Sequence, residues 1–151
     1  MSKLEFVYTT YIKTTREKLW HAITDEEFTG SYWFNCSLQS DWKVGSPMRM
    51  LRGGQVMNEC VILESDPPRR LSYSWHTVFD EDMKKERPSR VTFVLEDDHG
   101  AVKLTVTHEG FPEGSKTLPS ISGGWPLVLS SLKSMIETGK PLAFDPLKTT
   151  T

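Results

Sequence analysis

The chain is poor in the features that mark membrane, redox or nucleic-acid proteins. It holds two cysteines in 151 residues, Cys36 and Cys60, and neither has the paired spacing of thiolate metal sites or redox motifs. Nothing in the opening residues reads as a secretory leader, so a reduced, cytoplasmic location is expected. No apolar run approaches the roughly 18 residues that a membrane-spanning helix needs. Positive charge is not in excess: 18 Lys and Arg face 20 Asp and Glu, a formal net charge of −2. Neither nucleic acid nor a membrane surface is an expected partner. The short basic pieces Arg69-Arg70 and Lys84-Lys85-Glu86-Arg87 read as solvated loop ends. None of the four histidines shares a metal-ligand spacing. A nucleophile elbow, a phosphate-cradling loop and a dinucleotide fingerprint are all missing, which leaves hydrolase, nucleotide-dependent and hydride-transfer chemistry without support. No cofactor or metal is expected.

What the chain does have is strand periodicity and aromatic bulk. Leu4 to Lys13 is β-branched and aromatic, as a half-buried strand requires. Thr14 or Thr15 can cap a short helix over Arg16–Ile23, and Asp25-Glu26-Glu27-Phe28 opens a second helical turn before Tyr32-Trp33-Phe34. A strand over Met48–Arg52, a hairpin turn at Gly53-Gly54 and a strand over Val56–Glu64 follow. Beyond the turn at Asp66-Pro67-Pro68 come strands over Leu71–Val78, Arg90–Glu96 and Ala101–His108, with a charged loop from Asp80 to Pro88. Alternation puts Leu71, Tyr73, Trp75 and Thr77 on one face, with Val91, Phe93 and Leu95, then Val102, Leu104, Val106 and His108. Ser72, Ser74, His76, Thr92, Lys103, Thr105 and Thr107 are then expected on a wet face.

A last amphipathic helix carries Trp125, Leu129, Leu132 and Ile136 on one face, widened by Val128 and Met135. Pro126 is expected in its first turn, and Gly139 followed by Pro141 at its stop. One domain over residues 1–144 with a flexible tail over 145–151 fits the length and pattern.

Strand, two short helices, a strand meander and a long final helix follow the order of the helix-grip fold. The pieces Tyr32-Trp33-Phe34, Ser40 to Pro47, Asp66 to Leu71, Thr105 to Phe111 and Gly123-Gly124-Trp125-Pro126 onward to Gly139 together resemble the START-like superfamily. They are closest to the branch similar to the C-terminal domain of the activator of the heat-shock-protein-ninety ATPase. Cys60 departs from a glycine that this branch favours in its strand. The resemblance implies an α+β fold, a curved antiparallel sheet wrapped around a long C-terminal helix, with a hollow between them.

Three functions follow from that implied container. The first is binding of a small lipophilic or aromatic ligand in a cavity lined by Trp33, Trp42, Met50, Tyr73, Trp75, Phe93, His108, Trp125, Leu129 and Leu132, most of which would equally serve as core. The second is a regulatory or co-chaperone module that meets a chaperone or another protein through its surface. A homodimer is also in keeping with an exposed strand edge. The third is a cyclase- or aromatase-like enzyme with His108 or Tyr73 as general acid or base. For His108 the structural alternative is a hydrogen bond to a backbone carbonyl or to Glu109. Of Glu59 and Glu64, one is expected to point inward next to Arg49 or Arg52, where a cross-strand ion pair is favoured over binding of a polar ligand group.

Overall fold

The computed structural model describes residues 4–142. Its elements run β1 (Glu5–Ile12), α1 (Arg16–Thr24), α2 (Glu26–Tyr32), β2 (Cys36–Gln39), β3 (Pro47–Arg52), β4 (Gln55–Asp66), β5 (Arg70–Trp75), α3 (Glu81–Lys84), β6 (Ser89–Asp98), β7 (Ala101–Glu109) and α4 (Thr117–Thr138). All seven strands form one antiparallel sheet in the order β1-β7-β6-β5-β4-β3-β2. The helix-grip architecture is therefore present, with α4 laid against the sheet's inner face. The expected tail over 145–151 lies outside the described residues.

Local chemistry sets the boundaries. The Thr15 hydroxyl accepts from Lys18 N at 3.2 Å and starts α1, and the Asp25 carboxylate accepts from Phe28 N at 3.1 Å and starts α2. Phe34 and Asn35 follow α2 with φ of 54° and 70°. This left-handed pair, unusual outside glycine, turns the chain into β2. Gly53 and Gly54 adopt positive φ in the β3–β4 hairpin, and Gly139 closes α4 in the left-handed conformation with its amide on Met135 O at 2.9 Å.

The strand parities hold on the inner face. Leu71, Tyr73, Trp75, Val91, Phe93, Leu95, Val102, Leu104, Val106 and His108 are all buried, as are Trp125, Val128, Leu129 and Leu132 of α4. Four expectations need correction. The last helix begins at Thr117, so Pro126 lies inside it instead of in its first turn. The early turns are held from outside: the Glu86 carboxylate accepts from Ser115 Oγ at 2.6 Å, Lys116 N at 2.9 Å and Thr117 N at 3.2 Å. These donors are what a helix N-terminus leaves unpaired.

Ser72 and Thr92, expected on a wet face, are buried. Ser72 Oγ donates to Val91 O at 3.0 Å and lies 3.2 Å from Thr92 Oγ1, while Arg90 Nε donates to Ser72 at 2.9 Å. Arg90 and Arg70 both pair with Glu64, and these long side chains cover the two small residues. Glu64 thus finds its ion pairs on β5 and β6, not at Arg49 or Arg52. Finally, β2 and α3 arise in segments expected to be irregular.

Candidate functional site

The sheet leaves a hollow of about 410 Å³ against the first half of α4, on the side of the molecule built from β2 to β5. Three indoles form its wall. Trp33 leaves α2, Trp75 ends β5 and Trp125 comes from α4; their ring centroids lie 6.3 Å (Trp33–Trp75), 5.4 Å (Trp33–Trp125) and 5.6 Å (Trp75–Trp125) apart. The last two pairs are steeply inclined, a favourable geometry for rings that cannot stack on every neighbour at once. Met50 and Met57 add flexible thioethers, and Phe34, Ile121 and Val128 complete the apolar surface. Phe79, 51% exposed, stands at the rim.

Polar groups in this lining are few. In the amide orientation that satisfies both ends, Asn58 Oδ1 accepts from Trp75 Nε1 at 3.2 Å and from Thr77 Oγ1 at 3.0 Å, while Nδ2 donates to Met57 O at 3.2 Å. Asn58 therefore fixes the Trp75 ring and keeps little capacity for a guest. Arg52, at the end of β3, is half-buried at the edge of the hollow.

Trp125 is held just as firmly. Its Nε1–H donates to His108 Nδ1 at 3.1 Å, so the imidazole proton sits on Nε2 and points to Ser89 Oγ at 2.7 Å. Ser89 in turn donates to Trp75 O at 3.4 Å. This chain joins α4, β7, β6 and β5 through neutral groups. His108 is 0% exposed, and burial pushes its pKa down to about 3, so it is uncharged near neutrality. With both ring nitrogens engaged it orients the tryptophan wall and does not border the hollow. Its partners are Trp125 and Ser89, not the backbone carbonyl or Glu109 expected from sequence. Although serine and histidine adjoin, the tautomer aims a proton at Ser89 and cannot take one from it.

Of the residues expected to line a cavity, Trp33, Met50, Trp75 and Trp125 do so. Tyr73, Phe93, Leu129 and Leu132 belong to the buried core behind that wall, with Tyr73 and Phe93 ring centroids 5.9 Å apart. Trp42 lies in the β2–β3 connection, half-buried at φ 61°, and is not part of the lining. The Tyr73 hydroxyl is fully enclosed without a hydrogen-bond partner, and burial, then Cys60 and Tyr32, raise its pKa well above the ordinary value. Sequence reasoning missed Phe34, Arg52, Asn58, Ile121 and Gly124. The Phe34-Asn35 turn and the early start of α4 bring Phe34, Ile121 and Gly124 to the site.

A second hollow, about 650 Å³, lies between α1 and the last turns of α4. It is larger, but its rim carries the exposed Lys13, Glu17, Lys18 and His21, and no comparable set of buried rings encloses it. Among the described residues no group of three or more His, Cys, Asp or Glu side chains could hold a metal ion, and no helix is long and apolar enough to cross a membrane.

A seven-stranded antiparallel sheet gripping one long helix, with a hollow between them, defines a START-like helix-grip domain. Within that class, residues 13–137 match the family described as activator of Hsp90 ATPase homolog 1-like protein, and the chain belongs to that family. Solved structures agree on the fold. Protein MLL2253 from Mesorhizobium loti aligns with a TM-score of 0.77 at 24% identity, covering 88% of this chain and 96% of that one. An Aha1 from Colwellia psychrerythraea, described as a dimer, aligns at 0.75 and 20% identity, covering 90% and 98%. An HSP90 activator from Plasmodium falciparum aligns at 0.73 and 20% identity, covering 91% and 97%. No curated protein matches the chain.

Proposed function

We propose that this domain binds a small lipophilic or aromatic molecule in the hollow walled by Trp33, Trp75 and Trp125. The observation that carries the reading is the combination of volume and lining: about 410 Å³, within the usual ligand range of roughly 300–1,000 Å³, bounded by three indole rings of which Trp75 and Trp125 have their N–H groups already paired inside the protein. A guest that replaces water there buries apolar surface without breaking the hydrogen bonds of Trp75 and Trp125. Both cysteines are free and buried, which suits a cytoplasmic location. His108 and Tyr73 have no acid–base part in this reading, since neither borders the hollow.

The test is native mass spectrometry of the purified protein followed by a thermal-shift screen of lipids, flavonoids, polyketides and aromatic metabolites. A true ligand at a hundredfold excess over its Kd stabilises the fold by about 2.7 kcal/mol. Gly124→Leu supplies the control. A Cβ at Gly124 meets nothing within 4 Å and the residue borders the hollow, so the leucine fills the space from a helical position that tolerates it. The variant folds and loses the ligand-induced shift. A library without effect on the parent protein removes the proposal.

One surface feature favours a second reading, association with another copy of the chain. Among the described residues strand β1 has β7 as its sole neighbour in the sheet, and its outer face exposes Val7 (54%) and Tyr11 (48%). An open edge with apolar side chains is a template for strand pairing, and the Colwellia relative is described as a dimer. Sedimentation at two protein concentrations checks this, and a monomer at both removes it. The name of the Plasmodium relative makes a chaperone the other partner to assay, by stimulation of its ATPase.

A further inference from the structure

Resting on the second reading above, association with another copy of the chain, we infer that the two copies join through the first half of β1, paired antiparallel about a two-fold axis at Val7. The edge of β1 is divided. At its far end α4 holds the backbone: Lys133 Nζ donates to Tyr11 O, and Glu137 Oε2 accepts from Lys13 N at 2.8 Å and from Lys133 Nζ at 2.9 Å. An edge covered by charged side chains resists a further strand. Over Glu5–Thr9 there is no such cover: among the described residues β7 is the one element that hydrogen-bonds to this stretch.

Face parity limits the register. A two-fold axis normal to the sheet brings the two β1 strands together antiparallel in an isologous joint, and residues opposite each other must lie on the same face. The axis therefore passes through a residue and not between two. Centred on Phe6, the exposed Val7 meets Glu5 of the second copy. Centred on Tyr8 or Thr9, the pairing runs into Tyr11 and Lys13, where α4 is fastened. The Val7 centre keeps to the uncovered stretch and matches like with like. Val7, 54% exposed, faces its own copy. On the other face Phe6 meets the second copy's Tyr8, and Tyr8 its Phe6. Within each copy these half-buried rings already lie nearly parallel, at 7° with centroids 6.4 Å apart, so pairing sets four rings in one row. Aromatic and β-branched cross-strand pairs are among those that stabilise a sheet. The two seven-stranded sheets then become continuous, and each hollow, on the β2 to β5 side, stays clear of the joint.

Single cysteines introduced on the outer face test the register, since Cys36 and Cys60 are both buried. Directly opposite Cβ atoms in an antiparallel pair lie about 4.5–5.5 Å apart, close enough for a disulfide after a small adjustment. Oxidised glutathione closes the bond by thiol exchange and leaves as two reduced glutathiones. Val7→Cys is expected to form a covalent dimer at least about tenfold faster than Thr9→Cys or Tyr11→Cys, whose thiols are carried apart on opposite sides of the axis. Without any cross-link, Val7→Glu sets two carboxylates opposite each other and raises the dimer Kd in analytical ultracentrifugation at least about tenfold, whereas Tyr11→Glu at the covered end leaves it unchanged. Thr9→Cys linking faster than Val7→Cys, or a dimer that Val7→Glu leaves intact, overturns the inferred joint while association itself stands. A parent protein that stays monomeric at every concentration removes both.

Discussion

The two sides of the sheet solve the same packing problem differently. Toward β1, β7 and β6, Leu129 and Leu132 of α4 share the core with branched aliphatic side chains: these two and Ile12, Leu95, Val102 and Leu104 are all essentially inaccessible. Toward β5, β4, β3 and β2 the helix's own Trp125 meets two more indoles, with two methionines in the same wall, and a hollow remains. Aliphatic side chains interdigitate to crystal-like density, whereas rigid rings held at fixed angles by hydrogen bonds leave gaps that only another molecule can fill. The helix itself changes accordingly, from Gly124 beside the hollow to Leu129 and Leu132 over the packed side. One side supplies stability and the other gives up some of it for space.

Three experiments break or sharpen this contrast. The largest effect is expected from Leu132→Ala on the packed side, which removes a fully buried side chain and costs about 2–5 kcal/mol. Met50→Ala on the open side costs no more than the lower end of that range, since the space it vacates joins an existing hollow; urea titration of both variants measures the difference. Equal losses would erase the distinction between the sides.

An intermediate effect is expected at the seam. His108→Leu leaves the Trp125 indole N–H and the Ser89 hydroxyl without their imidazole partner, at about 1–3 kcal/mol near neutral pH. The sign of its pH dependence follows from burial. The native imidazole titrates at about 3, below its ordinary 6.5, so between those values the unfolded chain binds more protons than the native one. His108 therefore lowers stability as the pH falls from about 6.5 toward 3, and leaves it flat above 6.5. The leucine variant lacks this loss, so its deficit relative to the parent protein shrinks between pH 7 and pH 5.

The smallest effect concerns the start of α4. Partial burial raises the Glu86 pKa, but hydrogen bonds from Ser115, Lys116 and Thr117 outweigh it and hold the carboxyl below its usual value. Glu86→Ala removes this cap at about 1 kcal/mol, the usual worth of an N-terminal cap. Amide exchange of Leu118 to Ser122 accelerates more than that of Leu129 to Leu132 if the helix opens from the hollow's side.

Much of this architecture could be read from residue order. Alternation along β5, β6 and β7 identified the inner face, and Gly139 with Pro141 identified the end of α4. What escaped reading did so because tertiary contacts outweighed local propensity. Gly123-Gly124-Trp125-Pro126 resembles a helix start, since glycine is a poor helix former and proline suits a first turn. Burial of Ile121 and Trp125, with the remote Glu86 carboxylate, carries the helix through it. Strand β2 is four residues long, too short for alternation to register, and is fastened by Leu38 N donating to Thr29 Oγ1 at 3.0 Å. Ser72 and Thr92 alternate as wet-face residues should, but the cover over them depends on Glu64 of β4 reaching Arg90 of β6, across a strand and 26 residues away in sequence. At the site, the aromatic load was visible while its division into wall and core was not. Parity places Tyr73 and Trp75 on one face and says nothing of which lies against the hollow.

The tryptophan wall also makes the molecule its own optical gauge. The chain has five tryptophans, and three of them lie with centroids 5.4–6.3 Å apart at fixed mutual inclinations. Transition dipoles so close and so rigidly set couple into a split signal in circular dichroism, whose sign and size depend on the angles between the rings. Because Asn58 holds the Trp75 ring and the His108 chain holds the Trp125 ring, the couplet follows the shape of the chamber and not the amount of secondary structure. It is expected to shrink in Trp33→Phe, which leaves the Trp75–Trp125 pair, and to change when a guest tilts the rings, without any label attached to protein or ligand.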